Sequence, residues 1–216
     1  MNAKETASAT ERFEGLLAIE ALSFDLYEGT VVDPTDTRTI FLATDILRGI
    51  HAALSYEAGD AWKVVLYRSG FLWGQKTLRY FVRQSQGAFG AKFEQLGVDA
   101  FLGNLATFMN HNGWGLLTID LSDAIGRGVV RFELRKSIFS EALEDLRDRV
   151  DYLVAGMLAG VFSDLARADL AAIEITSTLT GAPASVFLLS ARSRIDAVRA
   201  LVDSGAGEAE VQELLA

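Results

Sequence analysis

Two histidines, a run of carboxylates and a pair of spaced serines are the residues of this chain that could do polar chemistry. His51 follows Ile50 inside the run TDILRGIHAALSYEAG, and His111 stands in the polar turn NHNG. Either imidazole could titrate near neutral pH or ligate a metallated ring axially. No metal-site spacing joins them, and a solvent-facing or hydrogen-bonded histidine is the simpler reading of each. Glu141, Glu144, Asp145 and Asp148 recur at helical spacing with Arg147 and Arg149 interleaved, the pattern of a solvated face. The stretch EITSTLTGAPASVF (174–187) carries Glu174, Ser177 and Ser185 on apolar runs either side of Gly181-Ala182-Pro183. There Glu174 suits pairing with an arginine or backbone N–H groups better than general-acid work. With no cysteine in the chain, disulfides, thiolate nucleophiles and Cys-bound zinc or iron–sulfur centres are excluded. No G-x-S-x-G elbow, Walker A loop or dinucleotide fingerprint occurs either, so no enzyme is expected.

The aromatic residues make a second set: Trp62, Tyr67, Phe71, Trp73, Tyr80, Phe81, Phe108 and Trp114. Ligand sites are mostly apolar with a few polar anchors, so such a set would suit a flat conjugated ligand. The candidate ligand-binding residues are Tyr67, Phe71, Trp73, Phe81, Phe108, Trp114 and His51. Helical periodicity alone already explains Tyr67, Phe71 and Phe81 as core. Trp73 lies beside Gly74 and off that stripe, so it either caps a pocket mouth or faces a partner. The glycine pairs Gly70/Gly74 and Gly156/Gly160 either leave room for a ligand or let two backbones approach closely; close approach is the general use of glycine.

The elements that must position these residues follow from period. Phe13, Leu16, Leu17, Phe24 and Tyr27 fit one helical face, ended by Gly29 and the Val31–Pro34 break. A second helix opens at Thr44, with Ile46, Leu47, Ile50, Ala53 and Leu54 on one face and Gly59 as its stop. A third runs through AWKVVLYRSGFLWGQKTLRYFVRQ, and a fourth from about Phe93 to Met109. The period then becomes two: WGLLTIDL and GVVRFELRK form a hairpin turned at 123–128. Residues 141–166 return to helix, 170–178 and 184–190 form a second hairpin, and two short helices split by Gly205 and Gly207 end the chain. The expected fold is α+β, with helices packed on a four-stranded antiparallel sheet made of two β-hairpins.

The 216 residues are half hydrophobic and carry a net charge of −9. A nucleic-acid binder needs a basic face to displace counterions, so nucleic acid is excluded as a partner. The longest apolar stretch, YLVAGMLAGVF, is bounded by Asp151 and Asp164. It is shorter than the roughly 20 residues that a bilayer demands, so it reads as a buried helix and no membrane span is expected. The opening MNAKETASATERFEG lacks an apolar signal region, which makes a cytoplasmic location the expectation.

Three segments resemble the 4-vinyl reductase domain family. LYRSGFLWGQ is similar to the family's Gly-x-x-x-Gly helix, which follows a Glu-x-Gly segment, here Glu57-Ala58-Gly59. DYLVAGMLAGVFSDL is similar to its Ala-Gly-x-x-Ala-Gly helix, with Gly156 and Gly160 in register. Glu174, Ser177, Gly181, Ser185 and Phe187 repeat the frame of a motif that in the family carries two cysteines, at Ser177 and Ser185. A further family cysteine falls at Asp151. A thiolate trio suits a soft or borderline metal, whereas two hydroxyls and one Asp do not hold zinc. The resemblance therefore implies a family metal site that is lost here, with no zinc expected.

The likeness covers residues 36–190, flanked by a helical extension (1–35) and a helical tail (191–216). It implies a homodimer with an apolar cavity that holds a hydrophobic small molecule, a tetrapyrrole or related pigment being the specific expectation and an acyl chain another. Such domains are associated with bacteriochlorophyll biosynthesis, with sensors of small aromatic effectors and with a vesicle-tethering complex. The alternatives are an assembly scaffold that docks a protein partner through its terminal helices, and a small-molecule sensor domain.

Overall fold

The computed structural model describes residues 21–34, 36–89 and 97–215, for 84–89 the backbone alone. Two compact units are present, one formed by 43–78 with 115–216 and the other by 1–42 with 79–114.

The larger unit is built on a four-stranded antiparallel sheet in the order β3-β4-β6-β5, with β3 Leu116–Asp120, β4 Val130–Arg135, β5 Leu170–Thr176 and β6 Ser185–Ala191. The two expected hairpins are there, and pairing of Phe132 with Phe187 joins them. Helix α6 (Tyr152–Ala166) packs on β5, and its residues Val154 to Ser163 are all buried. Phe162 of α6 meets Phe132 edge-on, with ring centroids 5.3 Å apart. Helices α7 (Arg192–Asp203) and α8 (Glu208–Leu214) cover the other face, where Ile195, Val198, Val202 and Val211 pack with Ala171, Ile173, Ile175 and Leu188. Because β5 and β6 are covered on both sides, their sequences read as continuous apolar runs. The edge strand β3 alternates buried and open positions instead.

The same unit holds α1 (Thr44–Ala58), a short 3₁₀ turn, the first part of α2 (Trp62–Phe89), a single helical turn α4 (Ala124–Arg127) and α5 (Ile138–Ala142). Helix α1 buries none of its residues and leaves Ile46 and Ile50 exposed. Ser137 caps α5, its hydroxyl accepting from the N–H groups of Phe139 and Ser140.

The smaller unit contains a hairpin of β1 (Ser23–Asp25) and β2 (Thr30–Val32), the end of α2, and α3 (Val98–His111). On α3, Phe101, Asn104, Leu105 and Met109 are buried at spacings of three, one and four, one face of a helix.

Three sequence expectations change. Phe24 and Tyr27 were expected on a helix but belong to the β1–β2 hairpin. There Asp25 Oδ1 accepts from the N–H groups of Tyr27 and Glu28, and Gly29 takes φ +64°; these local bonds favour a turn over helix. The other residues of that expected face, Phe13, Leu16 and Leu17, lie outside the described residues. The turn at 123–128 is a short helix closed by Gly128 at φ +65°.

The helix expected over 141–166 is broken across 143–151. Leu143 and Val150 are drawn into the core, Asp148 accepts from Lys63 Nζ at 2.7 Å, and Arg149 bonds the Val202 carbonyl and Asp203. Those tertiary contacts outweigh a weak helical pattern in a charged segment.

Candidate functional site

The glycine pairs are where α2 meets α6. A Cβ on Gly156 would stand 1.9 Å from the Tyr67 carbonyl oxygen, and one on Gly160 2.1 Å from that of Phe71. From the other side, Gly70 would reach the Leu153 carbonyl oxygen at 2.0 Å and Gly74 that of Met157 at 2.2 Å. The four glycines therefore bring two helix backbones into contact and leave no space for a ligand between them.

Beside this crossing lies a node of buried oxygen atoms. Asp151, Ser177 and Ser185 are fully buried, with Ser137 and Glu174 nearly so. The Ser185 hydroxyl donates to Asp151 Oδ2 at 2.7 Å, and that of Ser137 donates to Asp151 Oδ1. The Asp151 backbone N–H donates to Glu174 Oε2 at 3.0 Å, the backbone role anticipated for Glu174. Glu174 Oε1 and the Ser140 hydroxyl find no hydrogen-bond partner of good geometry. Burial pushes the Asp151 carboxyl above the usual range, partly offset by the serines. Glu174 is pushed well above it, by burial first and then by the charge of Asp151. Burial of the two carboxyls together therefore favours the protonated form of the pair.

Alternation explains the gathering. Ala171, Ile173 and Ile175 face α7, so Glu174 faces α6, opposite Phe187 on β6. Sequence reasoning had Asp151, Glu174, Ser177 and Ser185 as family positions and missed Ser137. The serine two residues before Phe139 reads from sequence as a helix cap, and only the fold turns its hydroxyl onto Asp151.

The candidate binding residues fall in separate places. Tyr67 and Phe71, with Arg68, Leu72 and Arg192, line an open cleft of about 430 Å³. The Ala172 N–H donates to the Tyr67 hydroxyl at 3.3 Å. A smaller cleft of about 30 Å³ lies against Tyr67, Arg149, Tyr152, Glu174, Arg199 and Asp203. His51 meets Trp62 edge-on at 4.6 Å, its Nε2 lies 3.2 Å from Ser55 Oγ, and burial lowers its pKa. Trp62 in turn meets Tyr152 at 5.2 Å. Trp73 is half-buried, and its carbonyl accepts from Thr77 Oγ1.

In the smaller unit, Phe81 meets Phe108 at 5.5 Å and Phe101 at 6.0 Å, both edge-on, and Tyr80 stands 6.0 Å from Phe108. Trp114 is half-buried in the same unit, and its N–H donates to the Met109 carbonyl. No group of three or more His, Asp or Glu side chains among the described residues has the arrangement to hold a metal ion. No helix among them is long and apolar enough to cross a membrane.

No family model matches this chain, and no curated protein matches it. Among solved structures, the phenol-responsive sensory domain of the transcription activator PoxR, bound to phenol, is similar with a TM-score of 0.69 and 17% identity. That match covers 94% of this chain and 100% of that one. A trafficking protein particle complex subunit 3 from Naegleria fowleri, covalently bound to palmitic acid, aligns with a TM-score of 0.48 and 12% identity over 68% of this chain and 93% of that one. A vinyl-4-reductase family protein from Methanocaldococcus jannaschii aligns with a TM-score of 0.47 and 13% identity over 88% and 98%. At these identities the likeness is one of fold, and it is the PoxR sensory domain that supports it.

Proposed function

We propose that this chain is a non-catalytic module that binds a small hydrophobic molecule and works as a sensory domain. The observation that carries the reading is the likeness in fold, over nearly the whole of both chains, to a sensory domain bound to phenol. A single-ring aromatic is favoured over a tetrapyrrole or an acyl chain, which rest on the sequence resemblance alone. The cleft at Tyr67 and Phe71 has the size of a small-ligand site and offers aromatic faces beside two guanidinium groups. The rings of Phe81 and Phe108, with Trp114, are the second location.

Titration calorimetry and thermal shift on the full chain with phenol, benzoate, toluene and protoporphyrin test this. One-to-one saturable binding of a single-ring compound, with a rise in melting temperature, is the expected result. Phe71→Ala and Phe108→Ala locate the site, since the variant that lines it should weaken binding about tenfold, or 1.4 kcal/mol. Binding of none of the four, together with a ligand-free native mass spectrum, would sink the proposal.

A second reading, assembly through a homodimer or a protein partner, is favoured by α1. It buries no residue and presents Ile46 and Ile50, while α2 presents Val64 and Leu72. Sedimentation velocity distinguishes the two: a dimer that Ile50→Asp dissociates supports the assembly role.

A further inference from the structure

The buried oxygen node stands where the resembled family would place a metal, and its atoms do not fit one. Structural zinc sites are built on thiolate and imidazole, and this position offers neither, only one carboxyl of Asp151, one of Glu174 and serine hydroxyls. The Asp151 oxygens are already engaged, one by Ser137 and the other by Ser185, and Glu174 Oε2 is engaged by the Asp151 N–H. Among the described residues, Glu174 Oε1 and the Ser140 hydroxyl are left without a partner of good geometry, and one carboxylate oxygen with one neutral hydroxyl makes no coordination shell. The nearby guanidinium of Arg149 is held elsewhere, by the carbonyls of Glu174 and Val202 and by Asp203.

We infer that Asp151, Ser137, Ser185 and Glu174 form a metal-free hydrogen-bonded staple. It does structurally what a bound ion would do, tying the start of α6 to β5, β6 and the cap of α5. Each tie is to a different element: Ser137 precedes α5, Ser185 opens β6, Glu174 lies on β5 and Asp151 precedes α6. Removing one of these hydrogen bonds leaves a buried oxygen unsatisfied. The staple therefore links four elements without any ion, and breaking one of its bonds costs stability.

The test combines elemental analysis of the full chain, purified without chelator, with melting in the presence and absence of EDTA. The expected result is no stoichiometric metal and an unchanged melting temperature, because the binding energy of a structural metal is folding energy that a chelator removes. Ser185→Ala and Ser137→Ala should each lower the melting temperature by roughly 3–10 °C, as loss of one buried hydrogen bond, with its partner oxygen left unsatisfied, implies for a chain of this length. A stoichiometric metal with an EDTA-sensitive melt would overturn the inference, whether or not the variants fold. So would both serine variants melting with the wild type.

Discussion

Helix α2 spends its first part in one kind of packing and its last part in another. Up to Leu78 it belongs to the sheet-containing unit, where Gly70 and Gly74 bring its backbone against α6. From Arg79 it belongs to the smaller unit, where Phe81 is surrounded by the rings of Phe101 and Phe108. The first arrangement gains dispersion by removing side chains, and the second by edge-to-face contact between large ones. Small-residue contact is rigid and leaves no cavity, whereas side-chain packing can be altered by one substitution. The difference teaches that a glycine-bearing helix and an aromatic-bearing helix, similar in hydrophobic period, have different tolerances.

The largest effect is expected from Gly156→Ala. Its methyl group would stand 1.9 Å from a backbone oxygen that cannot rotate away, so α2 and α6 must separate. The loss should exceed about 3 kcal/mol, the upper end of ordinary overpacking, in a denaturant melt. A variant as stable as wild type would break the comparison at its rigid side. Phe81→Ala comes next, at about 3 kcal/mol, since a buried ring leaves a cavity that its neighbours fill only in part.

A third effect concerns pH. Folding raises the pKa of Glu174 and Asp151, so the folded chain takes up protons. That contribution is complete below the ordinary carboxylate range and is lost as pH rises through the folded values. His51, lowered by burial, acts with the opposite sign and loses its contribution as pH falls. The other titrating groups beside Glu174 are Arg149, Arg199, Asp203, Tyr67 and Tyr152. All of these remain in Asp151→Asn, so the difference between the two melting profiles isolates the carboxyl pair. Wild type should lose stability relative to the variant as pH rises from mildly acidic to mildly basic. Parallel profiles would show that the carboxyls are not coupled.

The smallest effect sharpens the contrast. Gly103, inside α3 in the aromatic unit, has none of the described residues near its added Cβ. Gly103→Ala should stabilise by about 0.5–1 kcal/mol through helix propensity alone. The same substitution at Gly156 and at Gly103 thus carries opposite signs.

Much of the fold was legible because period two and period 3.6 are local signals. The two hairpins, α1, α2 and the two closing helices all follow from them. The break at 143–151 was not legible, because it is held by Lys63, Val202 and Asp203, residues far along the chain from it. At the oxygen node, the family resemblance pointed to Asp151, Glu174, Ser177 and Ser185. Nothing in spacing could report that Ser137 would join them or that Glu174 Oε1 would be left without a partner. The aromatic candidates were found as a set, but the set divides, because residues on one helical stripe need not face one cavity.

The sequence by itself determined the element types, the antiparallel hairpins, the acidic balance and the absence of thiolate chemistry. These depend on composition and on contacts between near neighbours. Tertiary structure alone decided that the glycines serve a helix crossing, that Tyr67 and Phe71 share a cleft, and that two carboxyls lie buried together. Those outcomes depend on which faces of distant elements meet. Long-range packing sets that arrangement, and no local pattern in the chain encodes it.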